Sequence, residues 1–285
     1  MNITAMDKFR WPEDKRAAVV FNVAFEAWSE GVASGIGPMG NPLPPGTLDT
    51  QALSWGAYGA KRGIWRLIDV LDRHDLRATV FTSACLAERA PDTVHALVDA
   101  GHEVCCHGYA QDILPVMLKE AEEREHIKRC AGLLGDLLGE APKGWVSPRG
   151  TPSLRTSALL AEAGFLWHGD CFDDDFPYVE QHPDGSIVAV PLTTEVNDLP
   201  RYVRYGNSPQ TMLAVFRDAF DLRLHADGVG VQGHLDVLGH THVSGRPLEA
   251  WVYGEIAKIV REHDDVWLPT KGEIAEWTLQ FAEED

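Results

Sequence analysis

Cationic residues are scarce in this chain. Only 25 Lys and Arg stand against 43 Asp and Glu, a net charge of −18. So acidic a surface has little to neutralise phosphates with, which excludes nucleic acid and anionic membranes as partners. Long apolar runs are missing as well. No stretch approaches the ~18 apolar residues of a spanning helix, and the N-terminal MNITAMDKFRWPEDKR lacks the apolar centre of a signal peptide. The cysteines (Cys85, Cys105, Cys106, Cys130, Cys171) are scattered, odd in number and without a C-x-x-C pair. That predicts reduced thiols and a cytoplasmic protein. No Gly-x-Gly-x-x-Gly follows a strand and no Gly-x-x-x-x-Gly-Lys is present, so dinucleotide and nucleoside-triphosphate sites have no support.

What remains is an ordinary globular composition, 45% apolar and 24% charged over 285 residues, enough for a sizeable core. Ala17 to Phe25 reads as a buried strand ending at Glu26. Residues 27–62 carry many Gly and Pro and show no clear helix or strand, so they read as a long loop over the substrate site. Helical spacing follows at Ile64 to Arg73, a strand at Ala78 to Thr82, and a helix opened by Pro91 and closed by Gly101. Glu103-Val104-Cys105-Cys106 is strand-like, reads as core and delivers His107-Gly108; His102, just after Gly101, reads as a surface residue. Further helices are predicted over Glu120 to Leu138, Ser153 to Ala163, Pro209 to His225, Leu248 to Glu262 and from Gly272. Strands are predicted at Lys143 to Ser147, Phe165 to His168, Ile187 to Val190, within Val229 to Gly239, and at Val266 to Thr270. Strand and helix alternate throughout, which predicts a parallel sheet. A (β/α) barrel fits first and an open doubly wound sheet second.

In such folds ligands bind at the carboxyl ends of the strands. The polar groups there are Glu26, His107, Arg149, the Asp170–Asp175 cluster, Asn197-Asp198, His240 and His242. They make a hydrolytic set: a carboxylate or imidazole base, a second imidazole as acid, and a cation or amides to hold an anionic transition state.

The order of these segments resembles the polysaccharide deacetylase superfamily, in the branch of the metal-independent allantoinases and cyclic imide hydrolases. The strings that carry it include Trp11-Pro12, Tyr58-Gly59 with Gly63-Ile64-Trp65, Ala78-Thr79-Val80-Phe81, Ala100-Gly101-His102-Glu103 and His107-Gly108. Further on they are Gly144-Trp145 with Ser147-Pro148-Arg149, Ala163-Gly164-Phe165, Asp174-Asp175 with Pro177-Tyr178, Asn197-Asp198, and His240-x-His242 with Gly245-Arg246-Pro247. The resemblance spans nearly the whole chain and implies one distorted (β/α) barrel over residues 1–285. It also shows departures. The superfamily's adjacent acids, a base and a metal ligand, fall on Glu26 and Ala27. Its two histidines, four apart, fall on His107 and Gln111, and the arginine of its third motif falls on Val146. Of the usual Asp-His-His triad only His107 remains, and one imidazole is no ordinary metal site.

The resemblance therefore implies a cytoplasmic hydrolase of a small cyclic amide, imide or ureide, without a cofactor and assembled as a homo-oligomer. Glu26 or His107 is the expected base, His240 the acid, and Arg149 the clamp for a planar carboxylate or carbonyl. Trp28, Tyr58, Trp145, Asp174, Asn197 and His242 are the expected substrate contacts, with Trp55 also walling a flat ring. The alternatives are a polysaccharide or N-acetyl sugar deacetylase with a divalent ion such as zinc, and an altered relative: a lactonase, a lyase or a binding protein.

Overall fold

The computed structural model describes residues 9–35, 37–40, 43–44, 46–225 and 233–284. Strand β1 (Ala17–Phe25) is buried along its whole length and is the hub of the sheet. It pairs in parallel with β2 (Thr79–Thr82) on one side and β9 (Leu235–His240) on the other. β3 (Glu103–Cys106), β4 (Gly144–Trp145), β5 (Trp167–His168) and β7 (Gly185–Ala189) continue in parallel beyond β2. β6 (Tyr178–His182) closes that edge as an antiparallel hairpin with β7, and β8 (Val196–Asn197) closes the other beside β9. β10 (Val266–Trp267) pairs with the start of β1. The result is a distorted (β/α) barrel; among the described residues no ladder joins the β6–β7 edge to β8.

The helices cover the outside. They are α1 (Thr50–Tyr58), α2 (Ile64–Arg73), α3 (Leu86–Arg89), α4 (Pro91–Asp99), α5 (Glu120–Leu138), α6 (Thr156–Glu162), α7 (Pro209–His225) and α8 (Pro247–Arg261). Odd-numbered residues of β1 pack against them in the larger apolar cluster, with Ile64, Leu67, Leu71, Leu97, Ile127, Phe216 and Tyr253. Even-numbered residues of β1 face the barrel interior, because strand side chains alternate with a period of two. α9 (Lys271–Glu284) begins under the amino ends of β2 and β3, where the Lys271 amide donates to Thr79 Oγ1 and the Gly272 amide to Glu103.

The register turns this alternation into rows. One row is Asn22, Thr79 and Glu103. The next inward row is Ala24, Phe81 and Cys105, continued by Gly144, Trp167 and Val188. It is apolar, and Gly144 is required there because a Cβ would overlap the Trp167 indole. The row above, at the carboxyl ends, is Glu26, Ser83, His107 and Val146. Each residue stands one step beyond the last partners in register, Phe25, Thr82, Cys106 and Trp145.

Three expectations change. Residues 27–62 are not all loop, for α1 and a π-helical turn over Gly59–Gly63 occupy the second half. Asp49 caps α1 by accepting from the Ala52 amide at 3.0 Å. The helical signal was hidden by Gly56, Gly59 and Gly63, poor helix formers. They are there because Gly56 lies against Trp28, while Cβ atoms on Gly59 or Gly63 would run into Thr241. β6 escaped notice because none of its residues is buried and it shows no apolar alternation. His102 is buried, not on the surface, with its Nδ1 accepting from the Ala78 amide at 3.2 Å. Of the strand expected within Val229 to Gly239, residues 229–232 lie outside the described residues. All five cysteines are buried and free.

Candidate active site

The upper row sits at the carboxyl end of the barrel. Glu26 is 8% exposed and meets three imidazoles: His107 Nε2 at 3.4 Å, His242 Nδ1 at 3.7 Å and His240 Nε2 at 3.9 Å. His240 ends β9, and the next amide, Thr241 N, donates to the Ala24 carbonyl, which carries the ladder past the strand. His107 is oriented by its Nδ1, which donates to the Val146 carbonyl at 2.7 Å and leaves Nε2 turned to Glu26. Phe81, from the row below, packs beneath the His107 ring at 5.9 Å between centroids.

His240 has a second carboxylate behind it. Its Nδ1 lies 2.6 Å from Asp198 Oδ1, and Asp198 Oδ2 accepts the backbone amides of His240 and Ser244 at 2.7 and 3.0 Å. Burial works against the charged imidazole, but Asp198 and Glu26 outweigh it and push its pKa up to about 9. For Glu26, burial raises the pKa, but His240, His107 and His242 together hold it down at about 2. Burial also takes His242 down to about 4, against the pull of Glu26. Near neutral pH the cluster thus holds an anionic Glu26, a cationic His240 and a neutral His242.

The walls are aromatic. Trp55 of α1 meets His242 edge-on at 4.4 Å and Trp28 does so at 5.5 Å. Tyr58 is engaged elsewhere. Arg246 stacks over its ring at 4.3 Å and Arg66 donates to its hydroxyl at 2.6 Å, tying α1 to the loop after β9.

The remaining predicted residues are distributed differently. Trp145 is fully enclosed against Phe165 and His126, on the helix-facing side of β4, and its indole N–H donates to Ser147 Oγ. Strand parity turns it away from the interior, so it is a packing residue, not a wall of the site. Asp174, in a turn, and Asn197, at the end of β8, are half-buried, and their oxygens accept from the amides of Phe176 and Leu199. Arg149 stands exposed on the turn Pro148–Gly150 beyond β4, outside the imidazole cluster. Two carboxylates outrank their flagged neighbours. Asp198 holds His240, and Asp170 accepts from Ser147 N and Oγ at 2.6 and 2.5 Å, its pKa raised by burial against those bonds. Adjacency in Asn197-Asp198 and in Asp170–Asp175 was the signal for both, but nothing in the sequence says which member of each points inward.

The positions that carry metal ligands in the resembling family do not fit a divalent ion. Ala27 offers a methyl group. Gln111 is buried and donates its amide to Ser83 Oγ at 3.2 Å and to the His107 carbonyl at 3.3 Å, while its Oε1 has no partner. Among the described residues no three His, Cys, Asp or Glu side chains are gathered to hold a metal.

Comparison with known proteins bears on this geometry. The family model for polysaccharide deacetylase matches residues 54–167. The crystal structure of the PuuE allantoinase superposes with a TM-score of 0.83 at 30% identity, covering 93% of this chain and 91% of that one. A peptidoglycan deacetylase of Helicobacter pylori is 26% identical over 89% of this chain and 94% of its own length. A CE4-family pseudoenzyme of Bacillus anthracis, 14% identical, shares the fold alone, with a TM-score of 0.57 over 93% of this chain and 66% of its own. The chain belongs to the polysaccharide deacetylase superfamily, with allantoinase-like relatives, and is a hydrolase of that family. Among the described residues no helix is long and apolar enough to cross a membrane.

Proposed function

We propose that this protein hydrolyses a carbon–nitrogen bond in a small cyclic amide, imide or ureide, using its own side chains for the proton transfers. The observation that carries the reading is the set of buried imidazoles around Glu26, beside two tryptophans packed against His242. The similarity to an allantoinase over nearly the full length supports it.

With its Nδ1 proton fixed on the Val146 carbonyl, His107 Nε2 is the base that takes a proton from water. Glu26, ionised beside it, orients that water and stabilises the imidazolium that forms. The water oxygen bonds to the ring carbonyl carbon. Collapse of the tetrahedral adduct breaks the C–N bond, and the leaving nitrogen takes a proton from the His240 imidazolium, which Asp198 keeps charged. The product carries a new carboxylate where the ring was closed.

A second reading, deacetylation of an N-acetylated sugar polymer, draws on the similarity to the Helicobacter peptidoglycan deacetylase. One assay separates the two. Chelator-treated protein is given hydantoin, succinimide and allantoin in parallel with N-acetylglucosamine oligomers. Ring opening without acetate release supports the proposal; acetate release that depends on added zinc overturns it. Light scattering at micromolar concentration tests the expected homo-oligomer.

A further inference from the structure

Attack of water puts negative charge on the carbonyl oxygen of the tetrahedral adduct, and the groups that move protons do not hold it. His107 spends its Nδ1–H on the Val146 carbonyl, Glu26 is anionic, and the His240 proton goes to the leaving nitrogen. Of the row at the carboxyl ends, Glu26, Ser83, His107 and Val146, that leaves Ser83. The register that pairs Phe25 with Thr82 and Thr82 with Cys106 sets Ser83 between Glu26 and His107. The ladder runs on past the strands there: the Ser83 amide donates to the Phe25 carbonyl at 3.1 Å and the His107 amide to the Thr82 carbonyl at 2.9 Å. Phe81, two residues earlier, faces the barrel interior, so Ser83 does too. It is fully buried, out of reach of bulk solvent.

The hydrogen bonds of this hydroxyl are one-sided. Its Oγ accepts from the Ala27 amide, directly after Glu26, at 3.2 Å and from Gln111 Nε2 at 3.2 Å. The Gln111 amide cannot be turned round. Its Nε2 also lies 3.3 Å from the His107 carbonyl, which only accepts, so the nitrogen and not Oε1 faces the serine. A hydroxyl has two acceptor lone pairs and one proton. Both lone pairs of Ser83 are taken, one from the Glu26 side and one from the His107 side. Among the described residues no group accepts the proton. A buried donor left unspent is costly, and native structures keep one for a reason.

We propose that the Ser83 hydroxyl is the oxyanion donor of this site, giving its proton as a hydrogen bond to the carbonyl oxygen of the amide that is opened. The bond strengthens as charge gathers on that oxygen, so it stabilises the adduct more than the bound substrate. The two N–H groups that Ser83 accepts polarise its O–H and hold Oγ in place before the substrate arrives. Gln111 is the positioning residue, tying Ser83 to the backbone of His107. The assignment rests on the ring-hydrolase reading above and supplies the donor that its proton transfers leave out.

The test compares hydantoin with 4-thiohydantoin, in which sulfur replaces the oxygen at the bond that opens, on wild type, Ser83→Ala and Ser83→Thr. Sulfur accepts a hydrogen bond weakly, so the thiono ring has little of this interaction to lose. Ser83→Ala should lower kcat on hydantoin by about 10²- to 10³-fold with KM little changed, and on 4-thiohydantoin by less than about tenfold. Ser83→Thr, which keeps the hydroxyl, should stay within about tenfold of wild type on hydantoin. A serine that only ties Ala27 to Gln111 would slow both rings alike. That result, or an unchanged kcat on hydantoin, overturns the assignment while the ring-hydrolase reading stands. Should Ser83→Ala not fold, Ser83→Cys, whose thiol accepts but donates weakly, carries the same expectations. If wild type opens neither ring, that reading falls, and N-acetylglucosamine oligomers take the place of the rings, since acetate release also passes through an oxyanion. A loss of about 10²-fold or more there in Ser83→Ala keeps the assignment; wild-type kcat in the variant, or no hydrolysis by wild type, overturns it.

Discussion

The barrel buries charge at both ends, and the two ends are finished differently. At the amino end Asp236 is enclosed with Lys271 Nζ at 2.9 Å, Asn22 Nδ2 at 2.7 Å and the Thr193 amide at 2.8 Å, and Lys271 also reaches the Pro191 carbonyl. Burial opposes ionisation of Asp236, yet Lys271 and His234 hold its pKa well below the usual carboxylate range. At the carboxyl end Glu26 has its partners at 3.4 to 3.9 Å. A charge with short, converging partners is a structural element. Contacts of the longer kind are common at catalytic sites, where they tighten only once the substrate is bound. The apolar row of Ala24, Phe81, Cys105 and Trp167 separates the two, so each end answers to substitution by itself.

Lys271→Met breaks the lower cluster and leaves the buried Asp236 without its lysine. Chemical denaturation should show a loss of about 3–5 kcal/mol, with kcat per folded molecule unchanged. His107→Ala should do the reverse, lowering kcat by about 10²- to 10⁴-fold with a modest change in midpoint. A collapse of folding in His107→Ala would make the upper cluster structural and erase the contrast.

Asp198→Asn addresses the charge on His240. With Asp198 and Glu26 the imidazole titrates at about 9, so kcat/KM should fall as pH rises through that value and its acid is lost. Without the Asp198 charge the alkaline limb should move toward the ordinary 6.5, a loss of about tenfold at pH 8. An unmoved limb would show that another group sets it.

The smallest expected effect is on stability against pH. His240 is raised to about 9, so the native state holds a proton that the unfolded chain has released, and its stabilisation is lost as pH climbs from 6.5 through 9. His242 is lowered to about 4, so the unfolded chain binds a proton the native state refuses, and stability is lost as pH falls from 6.5 toward 4. Glu26, at about 2, adds a further loss as pH falls from 4.5 through 2. Melting temperature should therefore peak near pH 6.5, and His242→Phe should flatten the acid side.

The frame of this molecule was legible because it rests on local signals. The buried run of β1, the Gly after α4 and the periodicity of α5 and α7 each specify an element without help from the rest of the chain. The site was legible to the extent that it follows strand ends: Glu26 and His107 lie one step past β1 and β3, and His240 ends β9. What the sequence hid depends on parity and close approach. Trp145 faces outward because Val146 faces inward, and that is decided by the register of β4 on β3 through one residue pair, Cys106 with Trp145. α1 was obscured by glycines whose purpose lies far along the chain, at Thr241. Asp198 and Asp170 differ from their neighbours only in which way they point.

The most direct measurement is kcat and denaturation midpoint together for Glu26→Gln against wild type, on a cyclic amide that wild type opens. If this carboxylate serves chemistry, kcat falls by about 100-fold or more, while the loss of midpoint stays below that of Lys271→Met. A kcat within about threefold of wild type would contradict the account.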